Sequence, residues 1–110
     1  MKLPNANLAI VDPEKICDYC LNPEHPRGKY KARVFQSALG VTKADAEKLI
    51  MRIREQIQKA ECEKGERDEY GQRYTVEIEI KINAMKAVVR TSWIIKRDEI
   101  QPRLITCYVR

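Results

Sequence analysis

The stretch Tyr74-Thr-Val-Glu-Ile-Glu-Ile-Lys-Ile82 alternates apolar and polar residues without a break. Successive side chains of a strand point to opposite faces. Tyr74, Val76, Ile78, Ile80 and Ile82 therefore share one face, and Thr75, Glu77, Glu79 and Lys81 the other. One face on a core and one in water is the pattern of a half-buried antiparallel strand. The chain beyond it continues the theme. Asn83-Ala84-Met85 makes a turn, and Lys86 to Ile95 is a second strand rich in Val, Ile, Thr and Trp. Lys96 to Pro102 is a polar connection, and Arg103 to Arg110 a third strand.

Upstream of Tyr74 the period is helical. Ala46, Leu49, Ile50, Ile53, Ile57 and Ala60 recur at three and four residues, opposite a face of Lys, Arg, Glu and Gln. Thr42 and Asp45 form a capping pair at the start of this helix. A shorter helix is predicted from about Tyr30 to Leu39, with Ala32, Phe35 and Leu39 inward and Gly40 ending it. Asp12-Pro13 opens another, running to about Leu21 and burying Ile16, Tyr19 and Cys20 before Asn22-Pro23 stops it. Met1 to Val11 reads as an extended lead-in, and the charged run Glu61 to Gly71 as a mobile loop. Helices followed by a meander predict an α+β fold. N-terminal helices pack on a small antiparallel sheet formed by the C-terminal half, within one domain over residues 1–110.

Composition narrows the function. Charged residues make up 34% of the chain, with 21 basic against 16 acidic side chains and a net charge of +5. That excess favours polyanionic partners such as RNA. Aromatic residues are only 6%, too few for a platform of stacked rings. No apolar run is long enough to span a bilayer, so a cytoplasmic protein is expected, with its four cysteines as reduced thiols. The pair Cys17-x-x-Cys20 lies inside a helix, and the second ligand pair of a structural zinc site is missing. Neither metal nor cofactor is implied. Glu77 and Glu79, in a row with Lys81, read as the wet face of a sheet rather than as catalytic carboxylates.

The stretch Leu21 to Arg33 has a different character. It holds the chain's one histidine, His25, braced by Pro23 and Pro26 and followed by Gly28. Arg27, Lys29, Lys31 and Arg33 surround it. A stiff basic loop presenting an imidazole suits phosphate binding or proton transfer. Elsewhere Arg90, Thr91, Arg103, Thr106 and Tyr108 place cations and hydroxyls in the later strands. Together they supply what metal-free RNA cleavage requires: a proton-transfer group, a cation for the phosphorane and donors to the phosphate. His25, Lys31, Arg103, Thr106 and Tyr108 are the candidate catalytic residues. Arg27, Arg33, Arg90 and Thr91 are the candidate substrate-binding ones. A basic module that only docks on nucleic acid or an acidic protein is the alternative.

These residues also carry a family resemblance. Leu21, Asn22, Pro23, His25, Pro26, Gly28, Lys31 and Ala32 match an L-N-P-x-H-P-x-G-x-x-K-A pattern. Val89, Arg90, Thr91 and Trp93 match V-R-T-x-W, and Pro102 to Thr106 with Tyr108 match P-R-L-[VI]-T-x-Y. The chain thereby resembles a bacterial family of small domains of unknown function. Its layout is similar to toxin ribonucleases of the barnase–EndoU–colicin–RelE type. The resemblance implies metal-independent RNA cleavage and a small antitoxin-like protein as neutralising partner. Family members commonly end T-A-Y-P, whereas this chain has Thr106-Cys107-Tyr108-Val109. They also tend to carry an apolar residue where it has Cys20.

Overall fold

The computed structural model describes residues 1–110. Its C-terminal half is a four-stranded antiparallel meander of β1 (Cys62–Asp68), β2 (Gly71–Ile82), β3 (Met85–Lys96) and β4 (Arg103–Val109), in that spatial order. Three helical segments precede it: α1 (Pro13–Lys15), α2 (Lys29–Leu39) and α3 (Ala46–Ile57). The fold is α+β, with α2 across β3 and β4 and α3 across β2.

The sequence pattern maps onto the core directly. Tyr74, Val76, Ile78, Ile80 and Ile82 of β2 are all buried, while Glu77, Glu79 and Lys81 are exposed. Ala46, Leu49, Ile53 and Ile57 of α3 cover them, and Phe35 and Leu39 of α2, with Ala32 also buried, join the core from the side of β3 and β4. Gly40 takes a left-handed φ of 64° to end α2, its N–H bonded to the Gln36 carbonyl. Asn83 and Ala84 both have positive φ, the conformation of a two-residue hairpin turn that matches the strand twist. The Asn83 amide then donates to the carbonyls of Leu39 and Gly40, so the hairpin also caps α2.

Two expectations are corrected. Residues 62–68 form an edge strand instead of a loop. Only Cys62 of that strand is buried, so no apolar alternation marks it and backbone pairing to β2 alone defines it. Its register breaks between Lys64 and Arg67, at Gly65. The helix beginning at Asp12-Pro13 does start as expected, with the Asp12 carboxylate accepting from the Glu14 N–H. After Lys15, however, it widens into a π-helical turn, Ile16–Cys20, closed by the Leu21 N–H on the Ile16 carbonyl. The wider turn keeps Ile16, Cys20 and Leu21 buried but rolls Tyr19 to a half-buried position at the rim.

Thr91 also belongs to the core and not to a binding surface. It is fully buried, its hydroxyl donating to the Val76 carbonyl at 2.7 Å and accepting from the Trp93 indole at 2.8 Å. An indole N–H inside a core needs such an acceptor.

Candidate active site

The turn that carries His25 is held from within. Its Nδ1 accepts from the backbone N–H groups of Arg27 and Gly28, each at 3.0 Å. Two donors on Nδ1 fix the neutral ring as the tautomer with its proton on Nε2, an atom with no partner in the chain. The imidazole meets the Tyr19 ring edge-on, with centroids 4.8 Å apart. Gly28 is what lets the loop close on the π-helical turn. A Cβ there would stand 2.1 Å from the Tyr19 carbonyl oxygen.

Lys31, in the first turn of α2, occupies the centre of the cluster. Its Nζ donates to the Tyr19 hydroxyl at 3.2 Å and to Thr106 Oγ1 at 3.1 Å. It also lies 4.7 Å from the Tyr19 ring centre and 5.8 Å from that of Tyr108. No carboxylate pairs with it, although the molecule holds seven ion pairs elsewhere, including that of the N-terminal amine. A half-buried ammonium bound only by hydroxyls and rings keeps its charge available to an incoming anion.

Thr106 and Tyr108 pair in register with Ser92 and Arg90. They therefore lie on the opposite side of the sheet from Thr91 and Trp93. β4 is the last strand, and Lys31 reaches them past its edge. The Tyr108 hydroxyl in turn accepts from Arg90 Nη1 at 3.4 Å. Arg90 is bound to Glu77, which also accepts from Arg110. The hydrogen bonds from Arg90 and then Arg110 hold the Glu77 carboxyl below its usual range. Glu77 therefore positions Arg90 at the far end of the cluster.

The structure thus brings together His25, Lys31, Thr106, Tyr108 and Arg90. It keeps Arg103 apart: that guanidinium forms two 2.8 Å bonds to Glu99 at the start of β4, level with Ile94. Arg27 and Arg33 are exposed on the helix side of the cluster and make no ion pair. Between them, Tyr30 is 62% exposed, with Lys29 Nζ 5.1 Å and the Arg33 guanidinium 5.7 Å from its ring. Sequence reasoning missed Tyr19, taken for core because the π-helical turn has no sequence signature. It also missed Tyr30, which the low aromatic content hid.

The arrangement is an open surface of cations and hydroxyls. No group of three His, Cys, Asp or Glu side chains stands close enough to hold a metal ion. A concavity of about 670 Å³, lined by Glu69, Tyr70 and residues 96–99, lies by the β1–β2 and β3–β4 connections and is of mixed charge. An open basic surface fits a stretch of polyanion better than an enclosed small molecule. No helix is long and apolar enough to cross a membrane.

Helical segments laid on a four-stranded meander, with this cluster at the sheet edge, define a small α+β domain. The chain belongs to the DUF6883 family, a domain of unknown function, whose model matches residues 2–110. No curated protein and no solved structure matches it.

Proposed function

We propose that the domain is a metal-independent endoribonuclease of the toxin type, acting at the surface around Lys31. The observation that carries this reading is the ammonium of Lys31, held by two hydroxyls without a carboxylate, one of them from the Tyr19 whose ring also meets the fixed imidazole of His25. A phosphodiester seated on Lys31 would also meet the hydroxyls of Thr106 and Tyr108. As the 2′-oxygen attacks phosphorus, charge grows on the non-bridging oxygens, where Lys31 and Arg90 stabilise it. His25 Nε2–H hydrogen-bonds to the departing 5′-oxygen as charge grows there, and that oxygen takes its proton from the water formed at the 2′-oxygen. Hydroxide from solvent removes the 2′-hydroxyl proton, since the other imidazole nitrogen is occupied by amide donors. Arg27, Lys29, Tyr30 and Arg33 hold the flanking nucleotides. Arg103 and Thr91 have no part in the chemistry.

A small acidic protein laid over the same cations would neutralise the activity, the role of an antitoxin. The test is a mixed-sequence single-stranded RNA, labelled at one end and incubated with the protein in excess chelator. Fragments ending in a 2′,3′-cyclic phosphate are expected, and none from the same sequence made with 2′-deoxyribose. Salt-sensitive binding of both strands without any product would leave a docking module in place of an enzyme.

A further inference from the structure

We propose that Cys20 and Cys107 form a reversible oxidation site in which hydrogen peroxide joins the π-helical turn to β4. The two residues are 87 positions apart in sequence, yet their sulfurs are 3.7 Å apart, with both residues fully buried. The other two cysteines, Cys17 and Cys62, make no sulfur contact. The pair is also polar on one side. Cys20 Sγ lies 3.9 Å from Thr106 Oγ1, which is itself bound to Lys31. Thr106, Lys31 and Tyr19 are half-exposed, so they form a polar wall one side chain thick between the sulfur and water.

The two thiols are not equivalent. The Cys107 thiol donates to Cys20, and with help from Thr106 and Lys31 this holds the Cys20 thiol down, at about 6, against the effect of burial. Cys107, keeping the shared proton, is pushed well above its usual value. Cys20 is therefore the nucleophile and Cys107 the resolving thiol. The Cys20 thiolate attacks one peroxide oxygen, the O–O bond breaks, and the departing hydroxide takes up a proton. This leaves a sulfenic acid on Cys20. The Cys107 sulfur then attacks the Cys20 sulfur, the S–O bond breaks, and the released hydroxide leaves as water with the Cys107 proton. Two thiols and one peroxide become a disulfide and two waters. The bond ties the segment bearing Tyr19 to the strand bearing Thr106 and Tyr108, and turns the Cys20 thiol that Thr106 now touches into a disulfide sulfur. This step does not depend on the ribonuclease reading.

The full chain is treated with hydrogen peroxide, quenched, unfolded and alkylated with N-ethylmaleimide. Expected are two maleimides in place of four, a Cys20–Cys107 linked peptide after digestion, and return to four after dithiothreitol. Cys107→Ser, which keeps a donor to Cys20 but cannot resolve, should stop at a sulfenic acid on Cys20 that dimedone traps. The wild-type peptide map decides the matter even if that variant fails to fold. Four alkylated thiols after treatment, or a Cys17–Cys20 link instead, would overturn the proposal.

Discussion

Replacing Thr91 by Val separates hydrogen bonding from packing in the core. Valine is close to threonine in shape, so Thr91→Val opens no cavity, but it removes the acceptor of the Trp93 indole and the donor to the Val76 carbonyl. Trp93 is fully buried and has no other partner for that N–H, so the variant bears the cost of an unsatisfied buried donor, about 1–3 kcal/mol. The lost bond to Val76 adds roughly 1 kcal/mol more, giving about 2–4 kcal/mol in all. Thr91→Ser keeps the hydroxyl and loses one methyl, worth about 0.5–1.5 kcal/mol. The order is the sharp part: serine, the smaller residue, should be the milder change. At roughly 4–8 °C per kcal/mol for a domain of this size, Thr91→Val should melt at least about 8 °C below the wild type. Urea unfolding followed by Trp93, the one tryptophan in the chain, reports the difference directly. A valine variant as stable as the serine variant would refute the buried network as the reason for threonine here.

Three further outcomes follow from the same geometry. Lys31→Met breaks no ion pair, so stability should change by less than about 1 kcal/mol, while RNA cleavage, losing a charge donor to the transition state, should fall on the order of 100-fold; paired thermal melts and initial rates check the split. Arg103→Ala should leave cleavage within about twofold of wild type and the thermal melt close to it, since its guanidinium serves Glu99 at the solvent-exposed surface. Glu77 and Glu99 hold their carboxyls below the usual range through hydrogen bonds from Arg90 and Arg103 respectively. Their contribution to stability is therefore present above the ordinary carboxylate value of 4.5 and is lost as pH falls through the lowered folded values. Urea midpoints should decline as pH falls toward about 6, where the Cys20 thiol takes up its proton, and again below about 4.5 as these carboxylates do; a rise toward acid would contradict this.

The fold was legible wherever burial leaves a period. β2 shows five apolar residues on one face, and α3 a stripe at helical spacing, so both could be placed from the sequence. β1 could not, because a strand exposed on both faces pairs through its backbone and leaves the side chains free to be charged. The π-helical turn was hidden for a related reason: Ile16 and Cys20 fit an ordinary helical spacing, and the extra width shows only in where Tyr19 ends up. The site was legible as a set of residue types but not as a set of neighbours. Thr106 and Tyr108 meet Lys31, and His25 joins them through Tyr19, whereas Thr91 and Arg103, equally suitable chemically, do not. Alternation puts Thr91 on the face of Trp93, but only the register with β4 shows that Thr106 and Tyr108 take the other one. The partner of Arg103 sits four residues away across a turn that no periodicity describes.

The most direct measurement is an NMR titration of the isotopically labelled protein with a short single-stranded RNA made uncleavable by 2′-O-methyl groups. Saturable shifts at His25, Lys31, Thr106 and Tyr108, extending over Arg27, Tyr30 and Arg33, are expected, while Arg103 and Thr91 stay still. Shifts confined to another face of the sheet, or none at all at low salt, would contradict a phosphodiester site built on Lys31.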